Sequence, residues 1–292
     1  MTHLNRLAIA AVLCAVGVSA TAQAPADINM LLARVSERIE NYYRRAQQIV
    51  CTEKTLVQPI NRDFTPTGFG RTVESELRVE ADATADGDNP TSATVVRNIV
   101  KINGKPPRER DKKDRAGCTD PNPLSTEPLA FLLPANRESY TFSAGGPGKG
   151  KDRGSLIIAF AARARDEGKL VENKNGHEDC FSVSIPGAMT GRVWVDEKTF
   201  EVRRIEQHVG VGDVRVGSAE QRKHNLPSSI TVERYDTTIR YKPIAFIDPD
   251  EAMLLPESIE TLVLWRNGME STRRREDYSD YRRFLTGGRI IK

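Results

Sequence analysis

Histidine and cysteine are scarce in this chain, four of each in 292 residues, and aromatic residues make up only 6%. Few His and Cys leave little from which to build a structural zinc site, which takes four such ligands. "GHEDC" does set His177 and Cys180 close together. Adjacent strand residues point to opposite faces, however, and cannot converge on one ion. Sparse aromatics speak against a membrane β-barrel, whose strands carry aromatic girdles at both interfaces. "RTVESELRVEA" and "ERYDTTIRYK" also put charge where lipid would lie. No charge of one sign dominates: the net charge is +3, and basic and acidic residues are interspersed. The clustered basic footprint of a nucleic-acid binder is therefore missing. Arg273, Arg274 and Arg275 run together but are followed at once by Glu276 and Asp277, which reads as a solvated strand face. Beyond the first two dozen residues, the longest apolar run is "SLIIAFAA", far short of the roughly 20 residues of a membrane-spanning helix.

Catalytic and cofactor motifs are equally thin. "GGPGKGKD" approaches a P-loop through Gly145, Gly150 and Lys151. Asp152 then stands where Ser or Thr would hold Mg²⁺, and Pro147 removes an N–H from the cradle; the stretch reads as a hairpin loop. "DATADGDN" opens like a calcium loop at Asp82, but Ala93 occupies the twelfth position, where a bidentate Glu is needed. "DPDE", Asp248 to Glu251, reads as a solvated turn. There is no G-x-S-x-G, and no S-x-x-K opens a helix. No catalytic residue, metal or cofactor is assigned from the sequence.

What the chain does have begins at its N-terminus. Arg6 precedes an apolar run from Leu7 to Ala20, and Ala20-Thr21-Ala22 is a small-x-small cleavage site. That layout is a secretory signal peptide over residues 1–22, so the chain is expected in the periplasm or outside the cell, with residues 23–292 as one domain. Cys51, Cys118 and Cys180 remain, in a compartment where disulfides persist. Cys51 lies in the apolar "QQIVCTEKTLV" and reads as a buried small residue. Cys118 sits in a polar loop and Cys180 opens a strand, and the expected bridge is Cys118–Cys180.

The mature chain opens on an amphipathic helix. Ile28, Leu31, Leu32, Val35, Ile39, Tyr42 and Ala46 recur at three- and four-residue steps, with Asp27 as N-cap. Eleven strands follow: Ile49–Gln58, Gly70–Ala81, Ala93–Asn103, Arg137–Ala144, Ser155–Ala162, Asp179–Ile185, Thr190–Val195, Phe200–Val209, Ser229–Lys242, Leu254–Arg266 and Met269–Phe284. Asn-Gly pairs at 103–104, 175–176 and 267–268 suit tight hairpin turns. The last predicts that Leu254–Arg266 and Met269–Phe284 lie side by side, antiparallel. "TEPLAFLLPANR" is a short apolar helix or turn ending at Pro134, and "GSAEQRKHN" a polar helix. This is a mostly β, α+β pattern: one large curved antiparallel sheet, an open half-barrel, with a helix on one side. In "SIETLVLWR" both faces turn apolar toward the hairpin end, so both need cover.

"GRVWVDEKTFEVRRIE", Gly191 to Glu206, resembles the strand-turn-strand of periplasmic lipoprotein carriers of the LolA/LolB superfamily. Trp194, Asp196, Arg204 and Ile205 stand at the positions of that pattern. The resemblance implies an open half-barrel of eleven strands with an apolar cavity for acyl chains, and "PLAFLLP" as a plug on its concave side. "STEPLAFLLP", "ERYDTTIRYKPIAFIDPDE" and "DYRRFLTGGRI" resemble a group of exported bacterial proteins, which implies export and no particular activity. Three functional readings follow. The first is an exported, non-enzymatic binding protein for lipid or lipoprotein acyl chains, lined by Phe131, Leu132, Leu133, Trp194, Val263 and Trp265. The second is an exported structural or interaction protein without a ligand cavity, and the third a hydrolase with a dispersed site.

Overall fold

The computed structural model describes residues 27–46, 49–81, 93–108, 128–165, 167–172, 181–184, 187–247, 250–266 and 269–283. Asp27 accepts a hydrogen bond from the Asn29 N–H at 3.0 Å, which caps helix α1 (Ile28–Ala46). One stripe of α1 is buried, through Leu31, Leu32, Val35, Ser36, Ile39 and Tyr43, and Arg44 and Arg45 lie in its last turn, where the helix dipole favours positive charge.

Thirteen strands follow among the described residues: β1 (Ile49–Pro59), β2 (Arg71–Ala81), β3 (Ala93–Ile102), β4 (Tyr140–Pro147), β5 (Ser155–Ala162), β6 (Lys169–Glu172), β7 (Phe181–Ser184), β8 (Met189–Asp196), β9 (Val202–Val209), β10 (Gly212–Arg215), β11 (Ser229–Phe246), β12 (Glu251–Arg266) and β13 (Thr272–Arg283). Eleven form one sheet in the order β3-β2-β1-β13-β12-β11-β9-β8-β5-β4, with β10 pairing on β11. β6 and β7 form a separate ribbon. The pairings are antiparallel, and β3 and β4 remain as unjoined edges. The sheet is an open half-barrel, as the strand pattern predicts. β12 and β13 pair antiparallel, with Val263 opposite Thr272.

The differences from the sequence reading are local. Pro134 does not end a helix but starts one, α2 (Pro134–Arg137), because a first helical position has no use for the missing N–H. The apolar residues before it form a 3-10 turn, Ala130–Leu132, the turn alternative of the sequence reading. Two short strands, β6 and β10, were not expected. The polar helix is α3 (Ser218–His224), closed by Asn225 in the left-handed region. At Asn103 and Gly104 both φ angles are positive and Ile102 and Lys105 exchange backbone bonds, so the tight turn forms there. The other two Asn-Gly pairs, His177, Cys118, Cys180, the calcium-like loop and the signal-peptide segment lie outside the described residues.

One face of the sheet carries the core. Leu31, Leu32, Val35, Ile39 and Tyr43 of α1 and Leu129–Leu133 join residues of β1, β2, β5, β8, β9, β11, β12 and β13 in a single buried cluster. We call this the inner face. It has two halves. Across β5, β8, β9, β11 and β12 a paired row reads Ile158, Val193, Ile205, Ile239, Ile259. The row then crosses to Glu276 of β13, Thr55 of β1 and Val73 of β2. The trough is aliphatic on one side and polar on the other.

Candidate functional site

The aliphatic half is filled by the chain itself. Phe131 sits within an aromatic group, with ring centroids 4.5 Å from Phe160, 5.5 Å from Tyr140 and 6.5 Å from Phe142. Leu129, Leu132 and Leu133 are buried beside it. This segment makes no sheet pairing, and polar bonds to α1 hold it. The Leu129 N–H donates to Tyr43 Oη at 3.1 Å. Ser36 Oγ lies 2.7 Å from the Leu132 carbonyl and 2.9 Å from that of Leu32, its single proton serving one of them. Arg137 Nε donates to the Leu132 carbonyl at 3.0 Å, and its Nη2 reaches the Leu32 carbonyl and Ser36 Oγ. One guanidinium thus gathers the carbonyls of the inserted turn and of the helix.

The six residues expected to line a cavity divide accordingly. Phe131, Leu132 and Leu133 are together in the trough as its filling. Val263 and Trp265 are half-buried on β12, in the alternation that puts Ile259 in the core. Trp194 does not join them. Val193 and Val195 point inward, so Trp194 between them turns to the outer face, where Arg204 Cζ stands 3.6 Å above its ring. Arg204 also pairs with Asp152 at 2.8 Å. Three residues of the carrier-like pattern are thereby explained as hairpin structure. Trp194 packs under Arg204. Asp196 accepts the Lys198 and Thr199 N–H groups, each at 2.8 Å, and closes the turn.

Where α1 ends, a cleft of about 70 Å³ remains between helix and sheet. Arg38, Ile39, Asn41, Tyr42 and Arg45 of α1 line it, with Glu201, Val202, Tyr241, Met253 and Leu254 from the sheet side and Leu129 of the inserted turn. Small-molecule sites run to about 300–1,000 Å³, so this cleft has room for a small polar group and not for an acyl chain. Arg45 pairs with Glu251 at 2.5 Å, and Glu251 is shared with Arg283 at 2.5 Å. Tyr241 is 7% exposed, and its Oη finds no hydrogen-bond partner among the described residues. Burial, reinforced by Tyr42 and Tyr43, pushes its phenol well above the usual range and keeps it protonated.

The polar half of the inner face holds a network that sequence reasoning missed. Arg97 of β3 clasps Glu53 of β1 through two bonds, at 2.7 and 2.8 Å. Tyr278 of β13 donates to Glu276 at 2.8 Å and lies 3.3 Å from Glu53. Arg274 Nε is 2.6 Å from Glu276. Thr55 Oγ1 and Ser75 Oγ, both fully buried, find no hydrogen-bond partner among the described residues. Burial, set against Arg274 and Tyr278, leaves the Glu276 carboxyl raised. The signal was present in the alternation of "IVCTEKTLV", which puts Glu53 and Thr55 in register with Ile49, Cys51 and Val57. Arg274 also corrects the reading of the arginine run: Arg273 and Arg275 are exposed, and Arg274 is half-buried against Glu276. Two carboxylates balanced by two guanidinium groups make a structural clasp. Among the described residues, no three His, Cys, Asp or Glu side chains gather to hold a metal, and no helix is long and apolar enough to cross a membrane. Cys51 is buried and unbridged, and burial, with Glu53, raises its thiol to about 12.

The class these features define is an open antiparallel half-barrel with a helix and an apolar turn laid in its trough. No family model matches the sequence, and no curated protein matches it. Among solved structures it is similar to a LolA superfamily protein from Nitrosomonas europaea, at 9% identity and a TM-score of 0.36, over 89% of this chain and 97% of that one. It is also similar to a domain from Vibrio parahaemolyticus named for outer membrane lipoprotein sorting, at 11% identity and a TM-score of 0.36, over 88% of this chain and 94% of that one. The likeness is loose, and the half-barrel is read from the strand order itself.

Proposed function

We propose that this is an exported, non-enzymatic binding protein whose trough takes up an apolar chain of a lipid or lipoprotein in the space that residues 129–133 fill. One observation carries the reading. The filling of the aliphatic half is a short inserted turn, held by Tyr43, Ser36 and Arg137, and not a strand of the sheet. Displacing it exposes the aliphatic row and the aromatic group without breaking a ladder bond. The solved structures with a similar fold include one named for lipoprotein sorting, which agrees with this class of ligand. The periplasm or cell exterior is its proposed location, residues 1–22 its signal peptide and residues 23–292 its single domain. The test is native mass spectrometry of the protein purified from a bacterial envelope. A copurified lipid supports the reading, and a bare chain that stays bare when offered lipid overturns it. A second reading, a structural or interaction protein with no ligand cavity, is favoured by the small free volume, about 70 Å³; the bare-chain outcome selects it.

A further inference from the structure

Strands β1, β2, β3, β12 and β13 bring one end of the sheet together. Pro59 at the end of β1 pairs with Thr272 at the start of β13, and Val57 with Arg71 at the start of β2. Val73 of β2 pairs with Ile102 at the end of β3, and Val263 of β12 with Thr272. The loop of residues 60–70 closes this end and presents Phe69 wholly to solvent, at 103% exposure. A single apolar side chain on a surface needs no explanation, but this one is held out. Gln58 Nε2 donates to the carbonyls of Gly68 at 2.9 Å and Pro59 at 3.0 Å. The Asn61 N–H donates to the Thr65 carbonyl at 2.8 Å, and the Thr67 N–H to that of Pro59 at 3.1 Å. The loop's other aromatic, Phe64, is half-buried, with Arg234 Cζ 5.7 Å from its ring centroid. Its φ is 66°, which a bulky residue adopts only where its surroundings impose it. A Cβ added at Gly70 would stand 2.7 Å from Leu56 Cδ1, so Leu56, itself 39% exposed, lies one residue along from Phe69.

The charges at this end are mostly basic. Arg62 of the loop, Arg71 of β2, Lys105 after β3, Arg266 of β12 and Arg273 of β13 face three acids, Asp63, Glu233 and Glu270, a balance of two positive charges. Asp63 accepts from the N–H and the hydroxyl of Thr65, and Glu233 is shared between Arg62 at 3.4 Å and Arg266 at 2.5 Å. Lys105 and Arg273 are exposed and have no carboxylate partner among the described residues. We propose that this end of the sheet docks on an anionic lipid bilayer, with Phe69 entering the interface and Arg62, Lys105, Arg266 and Arg273 meeting the head groups. Peripheral membrane binding scales with the apolar area inserted plus the attraction to anionic lipid, and the two are side by side here. The cations come from separate segments of the chain, a spread that suits the mobile head groups of a bilayer. None of these residues belongs to the filling of the trough, and the surface works whether or not the trough holds lipid.

The experiment sediments the full chain with vesicles of phosphatidylcholine alone, and with vesicles of equal parts phosphatidylcholine and phosphatidylglycerol. Binding is expected to the second only, and to weaken as salt is raised. Phe69→Ser removes a side chain exposed on every side, so its melting temperature is expected to match that of the wild type. Its affinity for the anionic vesicles is expected to fall roughly ten-fold, as for an apolar side chain kept out of the interface. Arg273→Gln is expected to lower that affinity by a few-fold. Phe69→Trp is expected to shift its emission to the blue on the anionic vesicles, beyond any change that Trp194 and Trp265 give in the wild type. The docking proposal is overturned if the wild type binds neither vesicle, if it binds both alike, or if Phe69→Ser binds as the wild type does. It is overturned too if Phe69→Ser changes only the oligomeric mass, which assigns the exposed ring to a contact between copies. Each of these results leaves the trough reading to be decided by the lipid that copurifies.

Discussion

At the scale of the residue, Asp196 shows how one side chain fixes a hairpin. It closes the turn between β8 and β9, where Phe200 takes a positive φ of 60° and the backbones of Asp196 and Glu201 are joined at 2.9 Å. Burial pushes its carboxyl up, but the N–H groups of Thr199 and Lys198 and the charge of Arg203 pull it further down, so it ends below its ordinary 3.8. A carboxyl depressed in the folded protein contributes stability that is present above the unfolded value and lost as pH falls through the folded one. Asp196→Asn keeps the shape and discards the charge. Urea unfolding at neutral pH is expected to show a loss of about 2 kcal/mol, and the gap between variant and wild type is expected to close below pH 3.8. The sequence made this residue legible because a turn residue between two apolar runs has a local cause. Trp194 beside it was misplaced because alternation assigns faces only once one residue's face is known, and Val193 and Val195 took the inner one.

At the scale of the element, strand existence was readable nearly throughout. β5 runs over Ser155–Ala162 as expected, and the β12–β13 pair follows from its flanking runs. The short β6 and β10, of four residues each, carry too little pattern to be seen. The inserted turn was visible as "PLAFLLP", but not what holds it. Tyr43, Ser36 and Arg137 lie far from it or behind a proline, and hydrogen bonds across 86 to 101 residues of chain leave no local trace. Phe131→Ala tests the turn. It empties the centre of the aromatic group and is expected to lower stability by about 3 kcal/mol, the usual loss for a buried Phe. If the turn is the displaceable filling of a binding trough, the same variant is expected to bind an apolar fluorescent probe at least several-fold more tightly than the wild type. Lost stability without gained probe binding would make residues 129–133 ordinary core.

At the scale of the whole molecule, the polar clasp ties the half-barrel together on the side that α1 shares with no aliphatic row. Glu53, Arg97, Glu276 and Tyr278 come from β1, β3 and β13, which spans from an edge of the sheet toward its middle. Glu53 is 0% exposed, so removing its partner strands a charge. Arg97→Met is expected to cost about 3–5 kcal/mol, the usual penalty for breaking a buried pair from one side. Glu53→Leu combined with Arg97→Met is expected to recover most of it. Glu276 adds a pH dependence opposite in sign to that of Asp196. Burial first, opposed by Arg274 and Tyr278 and reinforced by Glu53, leaves its carboxyl above the ordinary 4.5. The folded protein therefore keeps this proton to higher pH than the unfolded chain does, and folding is disfavoured as pH rises from 4.5 through the folded value. Glu276→Gln holds the neutral shape at every pH. Its stability relative to the wild type, measured by urea unfolding at pH 5 and pH 8, is expected to improve at the higher pH. A difference that stays constant, or that moves toward the wild type, would mean that Arg274 and Tyr278 hold Glu276 ionised and that the clasp is neutral only as a whole.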